Sequence, residues 1–240
     1  HILKTYEGVP VGVKSGDDGL DIKDLEDKII KYNPKVLYVV PTFSNPTGRT
    51  YSVENRKAIA ELTAKYNVMV LEDDPYSELR FSGERVPSIK SFDKVGNVTY
   101  ITSFSKTLAP GLRTGIAIGA KEVIRKMTIG KQATDVHTCL LSQAIIDYFL
   151  RNNSMDDRLE ELKAVYLEKK TAMLNAIKKY MPAEFKYTNP DGGLFIYGKF
   201  DESLGINTLE VFPELVKKYK VAYVSGYSFY AGENKFNTLR

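Results

Sequence analysis

The sequence predicts an α/β fold: a mostly parallel sheet with helices on both faces, followed by a smaller C-terminal α+β domain. Short apolar runs alternate with amphipathic stretches up to about residue 120, which is typical of parallel strands joined by helical crossovers. Beyond that point helical patterns dominate, and shorter strand-like runs follow them. Hydrophobic residues make up 43% of the 240 residues and charged residues 27%, a composition that can bury a sizeable core.

The strands of the first half are predicted from short runs rich in β-branched residues, at 9–13, 36–40, 68–72, 98–103 and 114–119. The run at 36–40 is apolar throughout, so we expect it to form a buried strand. Helices are expected between these strands. Asp21 is placed to cap the first of them, and Ser52 is placed to cap another that runs to about Tyr66.

Helical patterns dominate from Lys121 to about Tyr180. Their later part carries one apolar stripe that we expect to pack in the core, formed by Leu159, Leu162, Val165, Tyr166, Met173 and Ile177. The remaining elements are predicted as strands near residue 185, at 193–198 and at 221–225, and a helix around 209–219. We place a domain boundary near Ser154, which gives a large domain over 1–153 and a small domain over 154–240. The chain opens without a helix cap and stops where a strand starts, so we expect a fragment in which both domains are incomplete.

Composition excludes several classes of protein. The net charge of +4 is too weak and too evenly spread for a nucleic-acid-binding protein. No uncharged apolar run approaches the roughly 18 residues of a membrane span, and the start has no signal-peptide pattern. Cys139 is the single cysteine, and with only His1 and His137 beside it neither a disulfide framework nor a zinc cluster can form. We expect Cys139 to be a small buried residue, and the protein to be cytoplasmic with no metal.

Polar residues follow two of the predicted strands in the first half. The first group is PTFSNPTG at 41–48, whose prolines and glycine make a stiff turn that could present the Asn45 amide. The second is EDDPY at 72–76, where acidic residues end a buried strand and need something positive beside them. Asp73 and Tyr76 are three residues apart, so one tight turn could aim both at a single ligand. Alone, each group also fits a plain turn or capping role.

Two more polar groups follow the next strand. SFSK at 103–106 places Lys106 just past an apolar run and between hydroxyl groups, which suits an amine that reacts with a carbonyl. GLRTG at 111–115 sets Arg113 between glycines, where it could bind a phosphate with two hydrogen bonds. A solvated lysine and a surface-paired arginine are the plain alternatives. Together, an acid, a phenol, an amine, hydroxyls and an arginine are what a pyridoxal 5′-phosphate site requires.

With these motifs the sequence resembles the class I aminotransferases of fold type I, which depend on pyridoxal phosphate. The matching stretches are NPTG at 45–48, DDPY at 73–76, SFSK at 103–106 and GLR at 111–113. The sequence around these motifs resembles the branch of 2-aminoadipate and other broad-specificity aminotransferases. The same branch resembles a domain fused to some GntR-type transcription regulators. The resemblance covers essentially the whole chain.

The resemblance implies roles around the cofactor ring. Lys106 would bind the cofactor's aldehyde carbon and act as the catalytic base. Asp73 would pair with the pyridine nitrogen. Tyr76 and Asn45 would donate hydrogen bonds to the phenolate oxygen, and Asp73 and Tyr76 with Lys106 form the expected catalytic set.

The resemblance also implies phosphate and substrate ligands. Ser103, Ser105 and Arg113 would bind the phosphate. Arg240 would bind the substrate α-carboxylate, and Asn45 would also be a substrate ligand. A phosphate-binding helix start, an aromatic residue that stacks on the ring and a dimer-partner tyrosine are expected upstream of His1, so a homodimer is the expected assembly.

The expected activity is transfer of an amino group from an L-amino acid to a 2-oxoacid, with 2-oxoglutarate the usual acceptor and ping-pong kinetics. Two alternatives stay open: β-elimination or decarboxylation on the same scaffold, and the effector domain of a GntR-type regulator. A nicotinamide-binding sheet fits poorly, because no GxGxxG follows the first strand. The side chain of the substrate stays open among aromatic, branched and aminoadipate-like amino acids.

Overall fold

The computed structural model describes residues 5–231 and 235–240. A four-stranded sheet organises the first half, in the order β1 (Val36–Val39), β2 (Met69–Asp73), β3 (Val98–Ser103) and β4 (Gly115–Ile118). β1, β2 and β3 are parallel, and β4 runs antiparallel to β3. The predicted mostly parallel α/β sheet is therefore confirmed.

Two capped helices lie in the connections before β1 and β2. The first, α1 (Ile22–Tyr32), begins where the Asp21 carboxylate accepts a hydrogen bond from Asp24 N at 3.0 Å. The second, α2 (Val53–Lys65), begins where Ser52 Oγ accepts from Asn55 N at 3.1 Å. Both predicted caps are confirmed, since each satisfies a backbone N–H that has no partner within its helix.

The core lies between the sheet and these helices. Its buried apolar residues include Leu25, Ile29, Val39, Ile59, Val68, Val70, Ile89 and Val98. The prediction of a wholly buried first strand was wrong, because Val36 and Tyr38 are 51% and 57% exposed where β1 forms the edge of the described sheet. The strand predicted at 9–13 was also wrong, because no described strand lies beside this segment to pair with it.

Three helices follow the first sheet: α3 (Lys121–Thr134), α4 (Leu140–Asn152) and α5 (Met155–Tyr180). The helical prediction for this region is confirmed, but the apolar stripe of α5 is only partly buried. Leu159 is buried, whereas Val165 and Met173 are 48% and 55% exposed and lie outside the described core. The prediction that Cys139 is buried was wrong: this residue, which directly precedes α4, is exposed. None of the helices in the described residues is long and apolar enough to cross a membrane.

A second, antiparallel sheet has the order β5 (Phe185–Tyr187), β6 (Gly198–Phe200) and β7 (Thr238–Leu239). The strand near residue 185 and the one starting at the end of the chain are confirmed. The strand expected at 193–198 is a loop that ends where β6 begins. The helix expected at 209–219 is two short turns, α6 (Phe212–Glu214) and a π-helical turn at Leu215–Tyr219.

The segment 221–225, expected to be a strand, forms only a single bridge. Val224 and Arg240 exchange two backbone hydrogen bonds, of 3.0 and 2.8 Å, around the bridge between Ser225 and Leu239. One bridge does not make a ladder, so the strand prediction was wrong while the pairing of this segment is real. The division into domains at Ser154, which is the N-cap of α5, stays a prediction.

Candidate active site

The carboxyl ends of β1, β2 and β3 meet at one edge of the parallel sheet, where open α/β sheets bind ligands. The loop after β1 contains Asn45, and β2 ends at Asp73, with Tyr76 in the turn that follows. β3 ends at Ser103 and continues into the turn with Ser105 and Lys106. The topology therefore brings the first three predicted motifs to a single edge.

The loop after β1 is held in a compact turn. Ser44 N donates to Arg49 O at 2.9 Å and Gly48 N donates to Ser44 O at 2.6 Å. Gly48 has a φ of +70°, and a Cβ there would lie 2.8 Å from Phe195 O and 3.0 Å from Pro190 Cβ. Only glycine fits this position, so the NPTG motif packs closely against the segment that precedes β6.

A buried arginine, Arg56, supports this loop. It was not identified from the sequence. Arg56 is 1% exposed, and its Nη2 donates to Pro41 O and Thr42 Oγ1, both at 2.9 Å. Its Nη1 lies 3.9 Å from Glu72 Oε1, the carboxylate that precedes Asp73 in β2. One signal was available: Arg56 continues, at helical spacing, the inward face of α2 that carries Ile59.

The two adjacent aspartates have different surroundings: Asp73 is the last residue of β2, and Asp74 is the first residue after it. Asp73 Oδ2 accepts a hydrogen bond from Tyr38 Oη at 2.6 Å. Asp74 is 6% exposed, and its two oxygens accept from Tyr100 Oη at 3.1 Å and from Ser77 N at 3.3 Å. Asp74 is therefore satisfied by the protein itself, while Asp73 keeps one oxygen available at the sheet edge.

The charge states of Asp73 and Tyr76 follow from their surroundings. Burial raises the pKa of Asp73 and the nearby Asp74 adds to this, against the hydrogen bond from Tyr38, which lowers it. Burial raises the pKa of Tyr76, as does the Asp73 charge, while Arg240 and Asn45 act to lower it. Tyr76 therefore stays a neutral phenol at neutral pH and can donate a hydrogen bond.

Arg240 reaches the same place from the second sheet. Its Nη1 donates to Asn45 Oδ1 at 2.6 Å. Its guanidinium lies over the ring of Phe195 at 4.4 Å and near that of Phe229 at 5.1 Å, and Phe195 also meets the Tyr76 ring edge-on at 5.4 Å. Sequence reasoning missed both phenylalanines; the glycine pair before Leu194 and Phe195 was the one signal of a close approach.

The SFSK motif lies at the end of β3, and the GLRTG motif leads into β4. These two strands pair in antiparallel orientation. Phe104 N donates to Thr114 O at 3.1 Å, which draws the two loops together. Arg113 has a φ of +50°, and its Nη1 lies 3.4 Å from Ser105 Oγ. Lys106 lies in the turn after β3 and forms no hydrogen bond or ion pair with residues 5–231 or 235–240. Arg113 and Ser105 thus form a cationic, hydroxyl-bearing group beside a lysine with no protein partner there.

These side chains fit pyridoxal 5′-phosphate by their chemistry. An amine is present for the aldehyde, a carboxylate for the ring nitrogen, a phenol and an amide for the phenolate oxygen, and an arginine with hydroxyls for the phosphate. Among the residues that the structure describes, no group of three or more His, Cys, Asp or Glu side chains could hold a metal ion.

Comparisons with known proteins agree with this chemistry. The family model described as aminotransferase class I and II matches residues 1–240. The aromatic-amino-acid aminotransferase 1 of Thermococcus litoralis is 37% identical over 99% of this chain, and the 2-aminoadipate transaminase of Thermus thermophilus is 36% identical over 95%. The crystal structure of Pyrococcus horikoshii kynurenine aminotransferase, solved with PMP, covers 96% of this chain at 38% identity with a TM-score of 0.90.

The chain spans only part of each of these proteins: 58% and 57% of the two relatives, and 57% of the kynurenine aminotransferase chain. A relative of a different kind is the HTH-type transcriptional regulator NorG of Staphylococcus aureus. It is 33% identical over 87% of this chain, which spans 47% of the regulator.

Proposed function

The chain belongs to the family of class I and II aminotransferases, and on that premise we propose that the whole protein transfers the amino group of an L-amino acid to a 2-oxoacid. The observation that carries the proposal is the meeting of Arg240 with Asn45 beside Tyr76. It sets a cation that can bind a carboxylate next to groups that can bind the cofactor ring. We propose pyridoxal 5′-phosphate as the cofactor.

The cofactor, when bound, supplies a protonated ring that withdraws electrons from the substrate Cα. Asp73 would hold the proton on the ring nitrogen. Two opposite charges about 4 Å apart attract by about 4 kcal/mol at an effective dielectric of 20. One pKa unit requires only about 1.4 kcal/mol, so a single carboxylate is sufficient to keep that nitrogen protonated at neutral pH.

The other residues bind and move protons around this ring. Tyr76 and Asn45 would donate to the phenolate oxygen, and Ser103, Ser105 and Arg113 would bind the phosphate. Lys106 would hold the cofactor through its Nζ, and the free Nζ would be the base that takes the proton from the substrate Cα. Amino donor and 2-oxoacid acceptor use the site in turn, which gives ping-pong kinetics, with 2-oxoglutarate as the proposed acceptor.

Arg240 defines one part of the proposed substrate. A planar guanidinium binds a carboxylate with two parallel hydrogen bonds, and every α-amino acid and 2-oxoacid offers that carboxylate. Stacking on Phe195 and the contact with Asn45 fix the plane of the guanidinium. The relatives named for aromatic amino acids and for 2-aminoadipate make these two classes of side chain the first to test.

We also propose that the protein is a cytoplasmic homodimer. Several apolar side chains of β4 and α4 are 45% to 71% exposed: Ile116, Ile118, Leu140, Leu141 and Tyr148. Apolar area of this kind is typical of a covered surface. Because the chain spans 57–58% of its relatives' length, the rest of the protein is available to cover it as well as a second subunit. The proposed large domain, 1–153, contains all of these residues.

A second candidate function rests on the similarity to the NorG regulator. In that case the same fold would bind the cofactor as the effector domain of a transcription regulator. β-Elimination or decarboxylation on the same cofactor is a third possibility that uses the same ring ligands.

A panel of amino donors assayed against 2-oxoglutarate with the full-length protein separates these functions. We expect glutamate to form from at least one aromatic, branched or aminoadipate-like donor, with parallel double-reciprocal lines. The Lys106→Ala variant is the matched control and should form none. Cofactor binding without glutamate formation from any donor would favour the regulator, and release of ammonia or CO₂ would favour elimination or decarboxylation.

A further inference from the structure

Tyr38 is tied to Asp73 across two neighbouring strands. β1 and β2 pair with Tyr38 opposite Leu71, and the tyrosine hydroxyl donates to Asp73 Oδ2 at 2.6 Å. This length is typical of a hydrogen bond between a hydroxyl and an ionised carboxylate, the stronger kind of hydrogen bond. The Tyr38 residue is 57% exposed, but its hydroxyl is held by this hydrogen bond.

The bond leaves the Asp73 carboxylate with one free oxygen. Within residues 5–231 and 235–240 no hydrogen bond reaches Asp73 Oδ1. The hydrogen bond to Oδ2 restricts rotation of the carboxylate, and Oδ1 remains an acceptor for another donor.

We propose that Tyr38 is a positioning residue for the cofactor: it holds Asp73 by Oδ2 so that Oδ1 faces the ring nitrogen. The inference rests on the proposed function, in which Asp73 is the partner of that nitrogen. Tyr38 itself does not touch the reacting atoms.

The groups around Asp73 determine how removal of the Tyr38 hydroxyl changes the pKa of Asp73. The groups that act on its carboxylate are Tyr38 from β1 and Asp74, the next residue in the chain, with Tyr76 close by in the following turn. Burial and Asp74 raise the pKa of Asp73, and the Tyr38 hydrogen bond is the one influence that lowers it. Without the hydroxyl, the pKa of Asp73 should rise, since a hydrogen bond to the charged form is lost.

Tyr38→Phe in the full-length protein tests the proposal, with Tyr100→Phe as the matched control. Tyr100 makes the equivalent hydrogen bond to Asp74, at 3.1 Å, from the strand on the other side of β2. We expect Tyr38→Phe to weaken the binding of pyridoxal phosphate to the cofactor-free protein about tenfold, measured by absorbance titration. The carboxyl pKa of Asp73 in the cofactor-free protein, followed by ¹³C NMR, should rise. Tyr100→Phe should change neither quantity.

A double-mutant cycle with Asp73→Asn separates positioning from a general loss of stability. On the Asp73→Asn background, Tyr38→Phe should no longer change the cofactor affinity. Wild-type affinity and an unchanged Asp73 pKa in Tyr38→Phe would overturn the proposal, as would an equal effect of Tyr38→Phe with and without Asp73. If Asp73→Asn itself leaves cofactor binding and turnover unchanged, the proposed role of Asp73 fails, and the inference about Tyr38 fails with it.

Discussion

Arg240 Nη1 donates a hydrogen bond to Asn45 Oδ1 at 2.6 Å, although the two residues are 195 positions apart in the chain. The contact joins the residue that follows β7 in the second sheet to the loop after β1 in the first. The proposed substrate ligand and the proposed cofactor ligands are thereby in one place. A substrate carboxylate bound by Arg240 would lie beside the groups that act on its amine and its Cα.

The first prediction concerns the guanidinium of Arg240. A hydrogen bond to a charged group contributes about 1.5–3 kcal/mol, and lysine cannot form the planar pair. Arg240→Lys should therefore raise the KM of every amino acid and 2-oxoacid at least about tenfold, and by a similar factor. Arg158→Lys, at an exposed ion pair within α5, is the control and should change no KM. Unchanged KM values in Arg240→Lys would remove this residue from the site.

The second prediction separates the two adjacent aspartates. Asp73→Asn should lower turnover by several orders of magnitude, because an amide cannot hold the ring-nitrogen proton by charge, and cofactor affinity should fall less. Asp74→Asn should instead lower the melting temperature, because Asp74 accepts hydrogen bonds from Tyr100 and Ser77 N. Turnover and thermal unfolding of both variants check this. Greater damage to turnover from Asp74→Asn would mean that the two roles are reversed.

The third prediction concerns the buried pair of Arg56 and Glu72. Both side chains are at most 1% exposed, so removal of the arginine leaves a buried carboxylate without its counter-charge. Arg56→Met should cost about 3–5 kcal/mol of unfolding free energy in urea. Arg85→Met, at an exposed ion pair with Glu78, should cost less than about 1 kcal/mol. Equal losses of unfolding free energy in the two variants would show that Arg56 does not support the loop after β1.

The fourth prediction is a pH dependence that originates at Asp93. Burial acts to raise the pKa of this carboxyl, but Lys90 and the backbone N–H groups of Val98, Gly96 and Val95 outweigh it, so the pKa is lowered from its usual 3.8. A lowered pKa stabilises the folded state above the unfolded value, and this stability is lost as the pH falls through the folded value.

Asp93→Asn should therefore be less stable than the wild type at pH 7, by about 1–3 kcal/mol, with a gap that narrows toward pH 3. Urea unfolding at both pH values measures the gap. A gap that is the same at pH 7 and pH 3 would show that the charge of Asp93 contributes nothing.

The sheet and its helices could be predicted because their signals are local. Asp21 and Ser52 cap helices through atoms only three residues away, and β2 and β3 are apolar runs long enough to identify alone. The segments 9–13, 193–198 and 221–225 carry similar apolar residues. They are not strands because a strand also needs a neighbour along its length, which a single sequence does not supply.

Site residues could be predicted from the sequence where their signals are local. Asn45, Asp73 and Lys106 each lie in a motif of a few residues after a strand. Tyr38 and Phe195 were not found, because their roles depend on contacts between segments distant in the chain.

Reduction with borohydride tests the central claim, that Lys106 binds the cofactor, most directly. The full-length protein is loaded with pyridoxal phosphate, reduced and digested with trypsin, which does not cleave after a modified lysine. We expect one labelled peptide spanning residues 95–113, with Lys106 uncleaved, and no label in the Lys106→Ala variant. Label on another lysine, with Lys106 free and cleaved, would contradict the claim.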